Sequence, residues 1–174
     1  MNEFVPVHGL HHIAYRCRDA EQTRQFYEDL LGLPLVHVVR ADSVASTGEH
    51  CPFIHLFFEM TDGSCVAFFD LGDNQAAAPS PNTPAWVNHL ALRVGSQAQV
   101  DEALLRLRSA GVEVIGPVLH DGFVRSIYFF DPNGIRLELT LTTSGEEELQ
   151  GFRRDARAAC DAWTRDKSAR LATL

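Results

Sequence analysis

The sequence predicts an α+β fold built from two copies of one small unit, and three observations predict it. The segment Leu10-His11-His12-Ile13-Ala14-Tyr15-Arg16 matches Val87-Asn88-His89-Leu90-Ala91-Leu92-Arg93 at a constant offset of 77 residues, with His on His, Ala on Ala and Arg on Arg. Each copy is followed by one helical pattern and then by three strand-like runs. The turns Thr61-Asp62-Gly63-Ser64 and Asp131-Pro132-Asn133-Gly134 place Gly63 and Gly134 in the same hairpin slot.

In chain order, residues 10–17 alternate apolar and polar and read as a strand. Asp19 caps a helix over 20–31 in which Phe26, Leu30 and Leu31 face one way, and Gly32 stops it. Strands follow at 34–41, 53–60 and 65–71. The second copy repeats this with strand 86–94, helix 97–110 carrying Val100, Leu104 and Leu107, the stop Gly111, and strands 112–119, 123–130 and 135–142. Between the copies, Pro79-Ser80-Pro81-Asn82-Thr83-Pro84 cannot join a sheet or a helix interior and reads as a stiff linker. After them, Ser144-Gly145-Glu146-Glu147 resembles a capping box. Leu149, Phe152, Ala156, Ala159 and Trp163 then form a narrow seam on a long amphipathic helix, suited to packing on its own domain or on a partner. The expected organisation is one domain over 1–174: module one 9–71, linker 72–85, module two 86–142, and a C-terminal helix 144–170.

Composition narrows the function classes. A chain of 174 residues buries roughly 70% of its unfolded surface. The formal net charge is −8, and no Lys/Arg stripe suits a nucleic-acid backbone. No apolar run approaches the ~20 residues of a membrane span. The start, Met1-Asn2-Glu3-Phe4-Val5-Pro6, lacks the pattern of a secretory signal. Cys17, Cys51, Cys65 and Cys160 have no CxxC spacing and read as reduced thiols. Together these point to a cytoplasmic protein with neither a nucleic acid nor a membrane as partner.

Period-2 alternation assigns faces. His12, Ala14 and Arg16 oppose Ile13, Tyr15 and Cys17; His89, Ala91 and Arg93 oppose Leu90, Leu92 and Val94; Arg136, Glu138 and Thr140 oppose Leu137, Leu139 and Leu141. The apolar sets belong under the helices. Inward polar residues are costly unless they meet water, one another or a metal. Two curved half-sheets would bring the polar faces together across a cleft. His12, His89 and Glu138 then supply two imidazoles and a carboxylate, the set that holds a divalent metal on one side and leaves the other open.

These motifs, with Phe26-Tyr27-Glu28-Asp29-Leu30-Leu31-Gly32-Leu33 and Tyr128-Phe129-Phe130-Asp131-Pro132-Asn133-Gly134-Ile135-Arg136-Leu137-Glu138-Leu139, resemble the vicinal oxygen chelate superfamily, also called the glyoxalase/bleomycin-resistance/dioxygenase superfamily. The resemblance covers residues 9–142. It implies two βαβββ modules forming a cupped mixed sheet around a divalent metal held by His12, His89 and Glu138. The fourth ligand slot of glyoxalase I falls near Ala67, which cannot ligate. Glu59 and Asp70 lie nearby in poor register.

A three-ligand set is similar to that of type I extradiol dioxygenases, and Tyr128, His120 and His55 are the expected catalytic residues. The leading expectation is therefore a non-haem Fe(II) enzyme, with Mn(II), Zn(II) or Ni(II) as other ions, that cleaves a catechol-like ring with O2. The alternatives are a glyoxalase-like isomerase, epimerase or lyase working through an enediolate, or a binding protein that sequesters a small molecule. Arg16 and Arg93 either pair with acids or face an anionic substrate. A homodimer is expected, and the sequence leaves open whether modules pair within or between chains.

Overall fold

A computed structural model describes residues 7–120 and 122–172. Residues 1–6, residue 121 and residues 173–174 lie outside the described residues. Strand β1 (His12–Arg16) leads into helix α1 (Ala20–Arg24), which continues as a π-helical stretch over Gln25–Leu30. Asp19 caps α1 by accepting a hydrogen bond from the Gln22 amide at 2.7 Å. Strands β2 (Leu35–Ser43), β3 (His50–Glu59) and β4 (Cys65–Asp70) follow. The second copy gives β5 (Leu90–Arg93), α2 (Gln97–Ser109), β6 (Ile115–His120), β7 (Val124–Phe130) and β8 (Arg136–Thr142), and α3 (Glu146–Leu171) follows them.

The two sheets have the same topology, β1-β4-β3-β2 and β5-β8-β7-β6, each with one parallel pair and two antiparallel pairs. The duplication extends to backbone angles. Gly32 and Gly111 end their helices at φ 77° and 78°, and Gly63 and Gly134 both turn their hairpins at φ 83°. Those positive angles favour glycine at both places.

Both sheets turn their apolar faces into one core. Leu56, Phe58, Val66 and Phe68 of the first sheet and Leu92, Ile127, Phe129 and Leu137 of the second belong to a single buried cluster with Phe26, Tyr27, Val100 and Leu107 from the helices. Each such side chain contributes about 1.5–3 kcal/mol through burial. A polar hub joins the modules inside this core. The fully buried Tyr27 donates its hydroxyl to Asp131 Oδ2 at 3.0 Å. Asp131 also accepts the Asn133 and Ile135 amides at 2.9 and 2.7 Å and the Asn133 side-chain amide at 3.1 Å. Asn133 Oδ1 in turn accepts the Arg18 amide at 2.9 Å. Burial pushes the Asp131 carboxyl above its ordinary value, against the pull of these donors.

Several boundaries differ from expectation. The strand expected at 86–94 is only Leu90–Arg93, because Val87 N bonds to Pro84 O at 3.0 Å and turns the chain; Trp86 stays 65% exposed. The strand expected from 112 begins at Ile115, because Val112 N bonds to Leu107 O at 3.0 Å and closes α2. The expected capping box does not form: Gly145 caps α3, and Ser144 donates to Gly122 O at 3.3 Å instead. The apolar seam of α3 is not buried at any described residue, although Phe152 meets Phe123 at 5.6 Å between ring centroids.

Candidate metal centre

Glu138 sits in the middle of β8, paired with Ala91 of β5 on one side and Tyr128 of β7 on the other. It is 5% exposed. His89 stands just before β5, and its Nε2 lies 3.0 Å from Glu138 Oε2. The other Glu138 oxygen accepts a short hydrogen bond from Ser126 Oγ at 2.5 Å, and Ser126 also reaches Thr140 Oγ1 at 2.9 Å. His89 Nδ1 is 3.0 Å from the Val87 carbonyl, which can only accept, so the proton resides on Nδ1. In a neutral imidazole Nε2 then presents a lone pair to a carboxylate lone pair. That contact requires a positive charge, either a second ring proton or a cation that both atoms ligate. A backbone carbonyl on the far ring nitrogen and a hydroxyl on the far carboxylate oxygen are also the outer contacts that orient metal ligands. The donor set fits a divalent ion.

Beside this pair, Tyr128 OH and His120 Nε2 are 2.7 Å apart. The phenol is pushed above its ordinary value, first by burial and then by the Glu138 charge, so it remains a proton donor at neutral pH. The Arg136 guanidinium lies 4.5 Å from the Tyr128 ring centroid. Four of the six expected site residues, His89, Glu138, Tyr128 and His120, therefore lie together on the second sheet.

His12 and His55 share a face of the first sheet. Their rings are 6.1 Å apart. His55 is stacked on Phe69 at 3.6 Å and flanked by Phe57 at 4.2 Å, and its Nε2 is buried with no hydrogen-bond partner. Burial, then the neighbouring His12 and His37, lower its pKa to about 4, so it is neutral at pH 7. His12 Nδ1 is 2.7 Å from His11 Nδ1. Among the described residues, no group of three or more His, Cys, Asp or Glu side chains is placed to hold a metal ion. A single chain thus joins two of the three expected ligands and keeps His12 on the other sheet. The reason lies in the core: both apolar faces meet it, so the polar faces look away from it.

The fourth slot offers no ligand. Ala67 pairs with Ala14 as Glu138 pairs with Ala91, and it is fully buried. Asp70 instead accepts the Ala20 amide at 2.8 Å. Arg16 is paired with Asp73 and donates to Gln75 O. Ser126 and Arg136 are absent from the site that the sequence predicts. A signal exists for Ser126, which lies two residues before Tyr128 and so shares its face.

Comparison with known proteins places the fold. The family model described as Glyoxalase/Bleomycin resistance protein/Dioxygenase superfamily matches residues 9–139. The uncharacterized protein YwkD of Bacillus subtilis is 29% identical over 133 residues, 75% of this chain and 94% of its own. The 2-epi-5-epi-valiolone epimerase of an Actinomyces species is 29% identical over 155 residues, 79% of this chain and 81% of its own. The fold is also similar to the fosfomycin resistance protein FosX from Listeria monocytogenes, solved with Mn(II) and sulfate. That match has a TM-score of 0.57 and 21% identity over 83% of this chain and 99% of that one.

Proposed function

The chain belongs to the Glyoxalase/Bleomycin resistance protein/Dioxygenase superfamily, and from that membership we propose that it is a divalent-metal enzyme acting on a small molecule with two adjacent oxygens. The observation that carries this reading is the His89–Glu138 contact at 3.0 Å, which calls for a positive charge that a second ring proton or a cation shared by both atoms would supply. His89, Glu138 and a second copy's His12 would hold the ion. When bound, it supplies Lewis acidity toward both substrate oxygens.

The reaction we favour is proton transfer at the carbon beside those oxygens, as in an epimerase or isomerase. The curated epimerase relative supports this choice. The second copy's His55, neutral and on the same face as His12, takes the proton from one side. Tyr128 returns a proton from the other, and His120 restores it to the phenol. Ring cleavage with O2 is the second reading. It draws support from Tyr128 and His120 standing together beside Glu138, as the resemblance to extradiol enzymes implies. Deuterium uptake from solvent into substrate without oxygen separates the first reading from oxygen consumption by the second.

The separation of the two faces favours a homodimer in which the first-sheet face of one copy meets the second-sheet face of the other. Mixing two inactive variants tests it. In each His12→Ala or Glu138→Ala homodimer both sites are broken. A mixed dimer rebuilds one site, so random mixing restores about a quarter of full metal-site occupancy and activity. No recovery on mixing, with both variants folded and dimeric, overturns the shared site.

A further inference from the structure

Arg136 lies two residues before Glu138 on β8, on the same face, roughly 7 Å along the strand. Its guanidinium stacks on Tyr128. Its Nε is buried with no hydrogen-bond partner. It forms no ion pair among the described residues, and Glu138, the acid on its own strand face, is committed to His89 and Ser126. Arg136 opens on a cavity of about 640 Å3 that His89, Phe130 and Ile135 share with the alanine- and proline-rich linker. Among the described residues it is the only permanently charged side chain lining that cavity. The buried Nε lacks an acceptor while the rest of the half-buried side chain faces the cavity, and the planar guanidinium fork matches an oxyanion with two parallel hydrogen bonds.

We propose that Arg136 is a specificity-determining residue that binds an oxyanion substituent of the substrate, a carboxylate by preference, with the apolar linker enclosing the rest of the molecule. This rests on the metal-site reading, which places the two adjacent oxygens at His89 and Glu138. The substrate class is thus a small carboxylated molecule in which the anionic group stands several bonds from the two chelating oxygens. The isolated charge makes the neutral analogue a poor substitute, because it leaves the guanidinium unsatisfied.

Calorimetric titration of Mn(II)-loaded protein with catechol and with 3,4-dihydroxybenzoate tests the assignment, since the two differ only in the carboxylate. The wild type is expected to prefer 3,4-dihydroxybenzoate by about tenfold or more. Arg136→Met, which keeps an extended apolar stem on Tyr128, brings that ratio close to one, and Arg136→Lys leaves it intermediate. A ratio unchanged by Arg136→Met overturns the proposal, as does a wild type without preference. Benzoate titrated into metal-free protein supplies an arm independent of the metal. Saturable binding that Arg136→Met abolishes supports the site, and absence of binding overturns it. Failure of both diols with retained benzoate binding sinks the metal-site reading alone. Inorganic phosphate displacing benzoate at equal concentration reassigns the oxyanion from carboxylate to phosphoryl.

Discussion

The two sheets place different chemistry in equivalent slots. Ala67 in the first corresponds to Glu138 in the second, Phe57 to Tyr128, His55 to Ser126 and Phe69 to Thr140, as the strand registers show. The first face is an aromatic wall around the neutral His55, with His12 and His37 beside it. The second is a connected polar network anchored on a buried carboxylate. Duplication preserved the backbone, down to matched glycine angles, and kept one histidine per copy at the same place. The polar network exists in only one copy. A buried carboxylate needs partners, and only the second sheet has a hydroxyl beside that slot. Neither copy alone carries the full expected ligand set, so the proposed chemistry has to draw on both.

Substitutions that erase this asymmetry should have the largest effect. Glu138→Ala makes the second slot like the first and is expected to weaken Mn(II) binding by about 100-fold or more, read by calorimetry on metal-free protein. Next comes the hub that fastens the turn of the second module to the helix of the first. Asp131→Ala strands several buried donors and should cost about 3 kcal/mol or more in urea unfolding.

The same carboxyl gives a pH signature. Burial raises its folded pKa above the unfolded value, so the fold favours the protonated form. Stability is highest below the unfolded pKa and declines as pH rises through the folded one. Urea midpoints measured between about pH 3 and pH 6 should show a slope from this group that is missing in Asp131→Asn. Ser126→Ala, which gives the second face the first face's lack of a hydroxyl, is expected to reduce metal affinity about tenfold with the fold intact. The smallest effect concerns the thiols. Burial pushes Cys17 up to about 11, so it should resist alkylation in the native state while exposed Cys160 reacts.

Much of this architecture is legible in the sequence. The 77-residue offset, the alternation on each strand and the glycine stops are local signals, and they put His12, His89 and Glu138 on polar faces. Tyr128 and His120 are close along the chain, on one strand and at the end of the strand before it, and the fold holds them 2.7 Å apart. Other features are not legible. The Val87 carbonyl that sets the His89 tautomer is hidden inside a stretch that reads as continuous strand. The seam on α3 reads as a packing surface, yet only Phe152 meets a described aromatic partner.

By itself the sequence determined the duplicated architecture, the facing of each strand and the side chains with metal-ligand chemistry, because periodicity and repeat spacing are properties of neighbouring residues. Tertiary structure alone decided that both apolar faces share one core, that His12 is thereby turned away from His89 and Glu138, and that Arg136 has no counter-charge among the described residues. Those outcomes depend on which distant surfaces exclude water together, and no local pattern encodes that choice.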